Sequence, residues 1–206
     1  YRTVFAIVGI AALVLQYVLM IRGPVGPAFA PRTINFFSYF TILTNILVAL
    51  ALAAPAFAPD SRLGRWTRSE GVRAALAMYI AVVGLTYHFL LANVWNPQGL
   101  NYLANVTLHY VMPVVFVLDW VLFTPKGRLR WVDPAKWLAF PLIYGVWVTI
   151  YGLISGWYPY WFVNISDLGF ARAAVTFGGL LVFFFVVGLV VVGLDRSLGR
   201  REPVSA

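Results

Sequence analysis

Hydrophobic positions along this chain gather into six long runs instead of short alternations. The runs cover residues 3–21, 36–58, 74–94, 102–123, 137–154 and 173–194, and each is bounded by charge or by Pro, Gly and Asn. At a rise of about 1.5 Å per residue, a run of ~20 residues crosses a hydrocarbon core of ~30 Å. The fifth run is the shortest and only just suffices, the sixth is the most purely apolar, and Pro55 is expected to loosen the end of the second. Lipid offers backbone groups no hydrogen-bond partner, so such runs must be helices, whereas a membrane barrel would show short alternating strands. The expected fold class is all-α: one polytopic membrane domain over residues 1–206, a bundle of six transmembrane helices.

Composition agrees, with 62% hydrophobic and 11% charged residues, against about 25% charged in soluble domains. The net charge of +8 would suggest a nucleic-acid partner in a soluble protein. Here its distribution argues otherwise. Arg2, then Arg62, Arg65, Arg68 and Arg73, then Lys126, Arg128, Arg130 and Lys136, then Arg196, Arg200 and Arg201 fall before the first run, in the second and fourth loops, and after the sixth run. Only Arg22, Arg32 and Arg172 fall on the other side. Positive-inside bias therefore predicts a cell-membrane protein with both termini cytoplasmic, contacting membrane lipids and no nucleic acid. Ala28-Phe29-Ala30 resembles a signal-peptidase site, but the first run exceeds a signal core of about 7–15 residues and is read as an anchor. Tyr1 is no natural start, so residues are expected before it. The absence of cysteine excludes disulfides and thiolate metal sites, and the lack of an internal repeat argues against an inverted-repeat transporter.

Polar residues inside the membrane are costly, which makes them the natural place to look for chemistry. Ser38, Thr41 and Asn45 are spaced to share one helix face, as are Asn105 and His109. Counted from the run ends, Thr41, His88 and His109 all lie roughly 8–11 Å below the outer boundary, which defines one polar layer in the outer leaflet. Thr and His at one depth permit nucleophilic catalysis, because imidazole can take the proton that keeps a hydroxyl unreactive. Pro113 lacks the N–H that would bond the His109 carbonyl, so the fourth helix is expected to bend there and free an acceptor. Asn45 and Asn105 would supply donors to an oxyanion or orient the imidazole. From spacing alone the plainer alternative is preferred: Thr and Asn as interhelical glue and His109 as a satisfied bundle residue. His88 lies on a small-residue face with Ala77, Ala81, Gly84 and Ala92, suited to a tight helix contact. A haem held by His88 and His109 is a further alternative. Zinc is disfavoured, since Asp119 lies ten residues, or ~15 Å, along the helix from His109. Asp119 is instead expected to pair with Lys126 or Arg128. No metal or cofactor is expected, and no serine-hydrolase elbow, zincin or nucleotide fingerprint is present.

Three segments carry a resemblance. SYFTILTNIL at 38–47, NVTLHYVMPVVFVLD at 105–119 and GWYPYWFVN at 156–164 together resemble the androgen-induced membrane protein family, which includes the androgen-dependent regulator of tissue factor pathway inhibitor. The resemblance covers most of the six-helix core. It implies an integral-membrane threonine hydrolase that cleaves fatty acid esters of hydroxy fatty acids, with Thr41 as nucleophile and His109, four residues before Pro113, as the essential histidine. The animal members carry an additional histidine just before this motif, where Asn105 stands here, and the aromatic run from Trp157 to Phe162 is bulkier.

The expected function is therefore hydrolysis of long-chain lipid esters that enter laterally. Thr41 and His109 would do the chemistry, and Ser38, Asn45, His88 and Asn105 would support it or contact substrate. The alternative is a non-enzymatic membrane protein, either a small-molecule transporter or a lipid-binding scaffold. Thr41, His88 and His109 are expected to line one cavity with apolar walls, which the Trp157 to Phe162 run would roof as a lid or merely flank as an interfacial belt.

Overall fold

The computed structural model of the chain describes residues 1–23 and 28–199, so Arg200 and Arg201 lie outside the described residues. Among these residues there are helices and no strands. Six helical stretches are long and apolar enough to span a membrane: Arg2–Ile21, Phe40–Phe57, Glu70–Leu91, Leu100–Phe123, Asp133–Ser155 and Phe170–Leu198. They form a single bundle. The second and third spans are its interior, with 56% of each apolar window buried, against 22% for the first and sixth, which present most of their surface outward. The third span touches the second, fourth and sixth, and the first packs along the second and fourth. Val48, Leu52, Leu76, Met78, Ile80, Met112, Phe116 and Trp120 fill the centre. Between helices in lipid, such close packing and interhelical hydrogen bonds supply the cohesion that water would otherwise drive.

Of the span boundaries that differ from expectation, three have a visible reason. The second apolar run is not one helix: Phe29–Phe37 is a separate short helix, Ser38 and Tyr39 form a break, and the span begins at Phe40. A continuous helix would use the Ser38 carbonyl for the Ile42 amide. Here that carbonyl accepts from the Tyr144 hydroxyl at 2.9 Å, and the Ile42 amide bonds the Tyr39 carbonyl at 3.1 Å. Thr41 therefore sits in the first turn of its helix, and Ser38 does not share its face. The fifth span is not marginal, because Asp133 and Pro134 open a leading turn that suits the residue preferences of a helix N-terminus. Pro141 cannot bond the Trp137 carbonyl, which instead accepts from the Tyr79 hydroxyl at 2.6 Å. The third span starts at Glu70, so Arg73 lies within it and not in the preceding loop.

That last shift corrects the expected partner of Asp119. Asp119 is fully buried and pairs with Arg73 and, at 2.7 Å, with Arg2. Arg73 also donates to the Thr124 hydroxyl at 2.9 Å. Lys126 turns to the Thr124 carbonyl and Arg128 to Glu70. A cation one turn inside the third span reaches a carboxylate buried in the fourth, which the loop cations do not.

Both helices facing the polar layer widen there into π turns, at Tyr87–Leu91 and Thr107–Val111. The second precedes Pro113 directly, and the Met112 amide reaches back to the Thr107 carbonyl. The ring of a helical proline clashes with the carbonyl four residues earlier, and inserting one residue into the turn relieves it. Gly84 eases the contact at this level. A Cβ there would meet the His109 carbonyl at 3.2 Å and the Pro113 ring at 3.3 Å, tighter than an ordinary contact, so a larger residue would push the third and fourth spans apart by a few tenths of an ångström.

Candidate active site

The π turn in the fourth span aims His109 across the bundle at the start of the second span. The Thr41 hydroxyl lies 3.3 Å from His109 Nε2, and His109 Nδ1 lies 3.0 Å from the main-chain carbonyl of Asn105. A carbonyl oxygen can only accept, so Nδ1 carries the hydrogen of the neutral ring. Nε2 is then the lone-pair nitrogen, and the Thr41 hydroxyl donates to it. This is the arrangement of a general base with an orienting partner behind it.

The imidazole is held from the side as well. The ring of Tyr87 stacks on it with centroids 4.1 Å apart and planes 27° apart. The Tyr87 hydroxyl accepts from Asn105 Nδ2 at 2.5 Å, so one residue before the histidine's turn fixes both its carbonyl partner and its stacking partner. Asn45 joins the backbones of the second and fourth spans, donating from Nδ2 to the Thr41 carbonyl at 2.9 Å and the Leu108 carbonyl at 3.1 Å. Because both partners accept, the amide orientation of Asn45 is determined.

Two cavities meet at this pair. One, of about 240 Å³, runs among the third, fifth and sixth spans past Val148, Phe177, Leu181 and Phe184. The other, of about 460 Å³, extends toward the first span past Leu19, Met20 and Ile42, with Gln16 and Asn101 as polar lining. Thr41, Tyr87, Leu91, His109 and Tyr160 line both. Each wall includes an exposed aromatic residue, Phe170 in the first and Trp95 in the second.

Of the residues singled out from sequence, Thr41 and His109 are brought together, while Asn45 and Asn105 stand behind them. Neither asparagine lines the cavities, and their donors are engaged by the Thr41 and Leu108 carbonyls and by Tyr87, so they position the pair and do not face a ligand. Ser38 is buried outside the cavities, donating to the Ile34 carbonyl and accepting from Trp147. His88 is the clear correction. It is exposed on the outer surface of the bundle, 3.2 Å from the Tyr110 hydroxyl, and lines neither cavity. Tyr87 continues the buried face of Leu76, Ile80 and Val83 at helical spacing and takes the inward position, which leaves His88, one residue on, facing out. His88 and His109 therefore share no space, and a haem between them has no geometric support.

Two tyrosines escaped the sequence reading. Tyr87 carried no polar periodicity of its own. Tyr160 belonged to the aromatic run considered as a lid or belt, and from the loop between the fifth and sixth spans it lines both cavities together with Thr41 and His109. Tyr39, beside it at 5.8 Å between ring centroids, has its phenol pushed up to about 12 by burial and by Tyr160. No protein-family model, curated protein or solved structure matches the chain.

Proposed function

We propose that this protein is a membrane-embedded threonine hydrolase of long-chain carboxylic esters. The observation that carries the reading is the Thr41 hydroxyl 3.3 Å from the unprotonated nitrogen of His109, in a wall shared by two largely apolar cavities. An ester with an apolar arm on each side of its carbonyl suits such a pair of chambers, one for the acyl chain and one for the alcohol. The resemblance to the androgen-induced family points to the same residues and to fatty acid esters of hydroxy fatty acids. The basic residues favour cytoplasmic termini and a site toward the outer leaflet.

In this reading the Thr41 oxygen adds to the ester carbonyl carbon while its proton passes to His109 Nε2. The imidazolium that forms keeps its Nδ1–H on the Asn105 carbonyl and its face on the Tyr87 ring, both of which favour positive charge. Collapse of the tetrahedral adduct breaks the bond to the alcohol oxygen, which takes the proton from Nε2. Water then adds to the acyl-threonine, gives a proton to Nε2, and releases the fatty acid as Thr41 regains it. A panel of branched and unbranched long-chain esters, assayed in detergent, tests the reading. Turnover should disappear in His109→Ala with the fold intact. Binding of these esters with no turnover in the wild type would instead make the protein a lipid-binding scaffold or transporter.

A further inference from the structure

We propose that Tyr160 is a third catalytic residue, whose phenol hydroxyl donates a hydrogen bond to the oxyanion formed when Thr41 adds to the ester carbonyl. The inference rests on the Thr41–His109 reading and adds to it the group that reading lacks. Addition places a negative charge on the former carbonyl oxygen, and a fixed donor beside that oxygen is usually the largest single contribution to acyl transfer. Neither asparagine of the polar layer is placed to provide it: Asn45 and Asn105 line neither cavity, and the Asn45 amide is spent on the Thr41 and Leu108 carbonyls and that of Asn105 on the Tyr87 hydroxyl.

Tyr160 is placed to do so. It lines both cavities at the same point as Thr41 and His109, where the carbonyl of an ester spanning the two chambers must lie. Its ring is held between Tyr39, at 5.8 Å, and Phe162, stacked at 5.1 Å with planes 4° apart. Thr41, Phe40 and Tyr144 line the first cavity beside it. Tyr144 gives its own proton to the Ser38 carbonyl at 2.9 Å, so the Tyr160 proton is the one able to turn to a new acceptor. Burial raises the phenol of Tyr160, opposed by its neighbours Thr41, Phe40 and Tyr144, so the residue stays a neutral donor near pH 7. It transfers no proton in the cycle; His109 handles all of them.

Tyr160→Phe keeps the ring and removes the donor. Loss of one oxyanion donor lowers kcat by about 10²–10³-fold, with KM for the ester changed by less than threefold. Affinity for a long-chain trifluoromethyl ketone, which forms an oxyanion adduct on threonine, should fall by the same factor as kcat/KM. Affinity for the matching non-hydrolysable ether should not change. A kcat within threefold of wild type, or equal losses for ketone and ether, would overturn the inference. If Tyr160→Phe does not fold, 3,5-difluorotyrosine incorporated at position 160 replaces it. Its more acidic phenol should introduce an alkaline limb into the kcat–pH profile some two units below any in the wild type, and an unchanged profile would also overturn the inference. Thr41→Ala separates the two levels. Activity retained there defeats the threonine mechanism itself, whereas an inactive Thr41→Ala beside a fully active Tyr160→Phe defeats only the role of Tyr160.

Discussion

The ring of Tyr87 lies stacked on the imidazole of His109, and its hydroxyl accepts a hydrogen bond from the side chain of Asn105, whose carbonyl holds the other side of that imidazole. Stack and hydrogen bond are separable. Tyr87→Phe keeps the stack and leaves Asn105 Nδ2 buried without its partner, at a cost of about 1–3 kcal/mol. Its unfolding midpoint in detergent should fall while kcat drops less than tenfold. Tyr87→Leu removes the ring as well and should lose kcat further. Equal behaviour of Tyr87→Phe and wild type in both measurements would show that Asn105 does not depend on the hydroxyl.

Asn45 ties the Thr41 and Leu108 carbonyls together, and interhelical bonds of this kind contribute about 1–2 kcal/mol in membranes. Asn45→Ala should lower stability by that amount. Its kcat should fall by more than the folded fraction does, because Thr41 and His109 are no longer held in register. Activity per folded molecule, from thermal denaturation followed by ester hydrolysis, checks both parts.

Asp119 and Arg73 form a buried ion pair well away from the cavities, with side chains 0% and 3% exposed. Removing one partner strands the other charge and costs about 3–5 kcal/mol. Asp119→Asn should therefore express poorly or unfold early, yet show normal kcat in whatever fraction folds. A paired Asp119→Leu, Arg73→Met variant should recover much of the stability. Failure of the double variant to improve on the single would show that the pair does more than balance charge.

The six spans were legible because each required only a long apolar run. Depth counting put Thr41 and His109 in one layer, but spacing alone favoured interhelical glue and only the resemblance singled out the pair, while Pro113 marked the place where the fourth helix had to depart from regularity. The break at Ser38 and Tyr39 was not legible, since its cause is a hydrogen bond from Tyr144, more than a hundred residues away in the chain. The outward placement of His88 was missed because depth and a small-residue face were weighed, whereas the apolar face Leu76, Ile80, Val83 and Tyr87 is the one that packs inward. The Asp119 pair was misassigned because proximity in sequence favoured loop cations, whereas the span begins early enough to carry Arg73 to it.

Tyr160 sets an expectation for the alkaline side of the pH profile. Its neutral phenol is the donor form, and burial, partly offset by Thr41 and its other neighbours, moves ionisation upward from its ordinary value. The donor form therefore persists past the usual phenol range near pH ~10. Wild-type kcat should show no alkaline loss from this group below that point. A loss centred between pH 8 and 9 (roughly, on the same scale) that vanishes in Tyr160→Phe would contradict the placement.

The central claim is that Thr41 becomes covalently acylated or phosphonylated with His109 as its base. Intact-mass and peptide-level mass spectrometry after exposure to a long-chain alkyl fluorophosphonate measures this directly. Wild type should gain a single adduct mapping to Thr41. Thr41→Ala should gain none, Thr41→Ser should be labelled at the same position, and His109→Ala should react at least about 10²-fold more slowly. An adduct of equal yield in wild type and Thr41→Ala, or one mapping to another residue, would contradict the account.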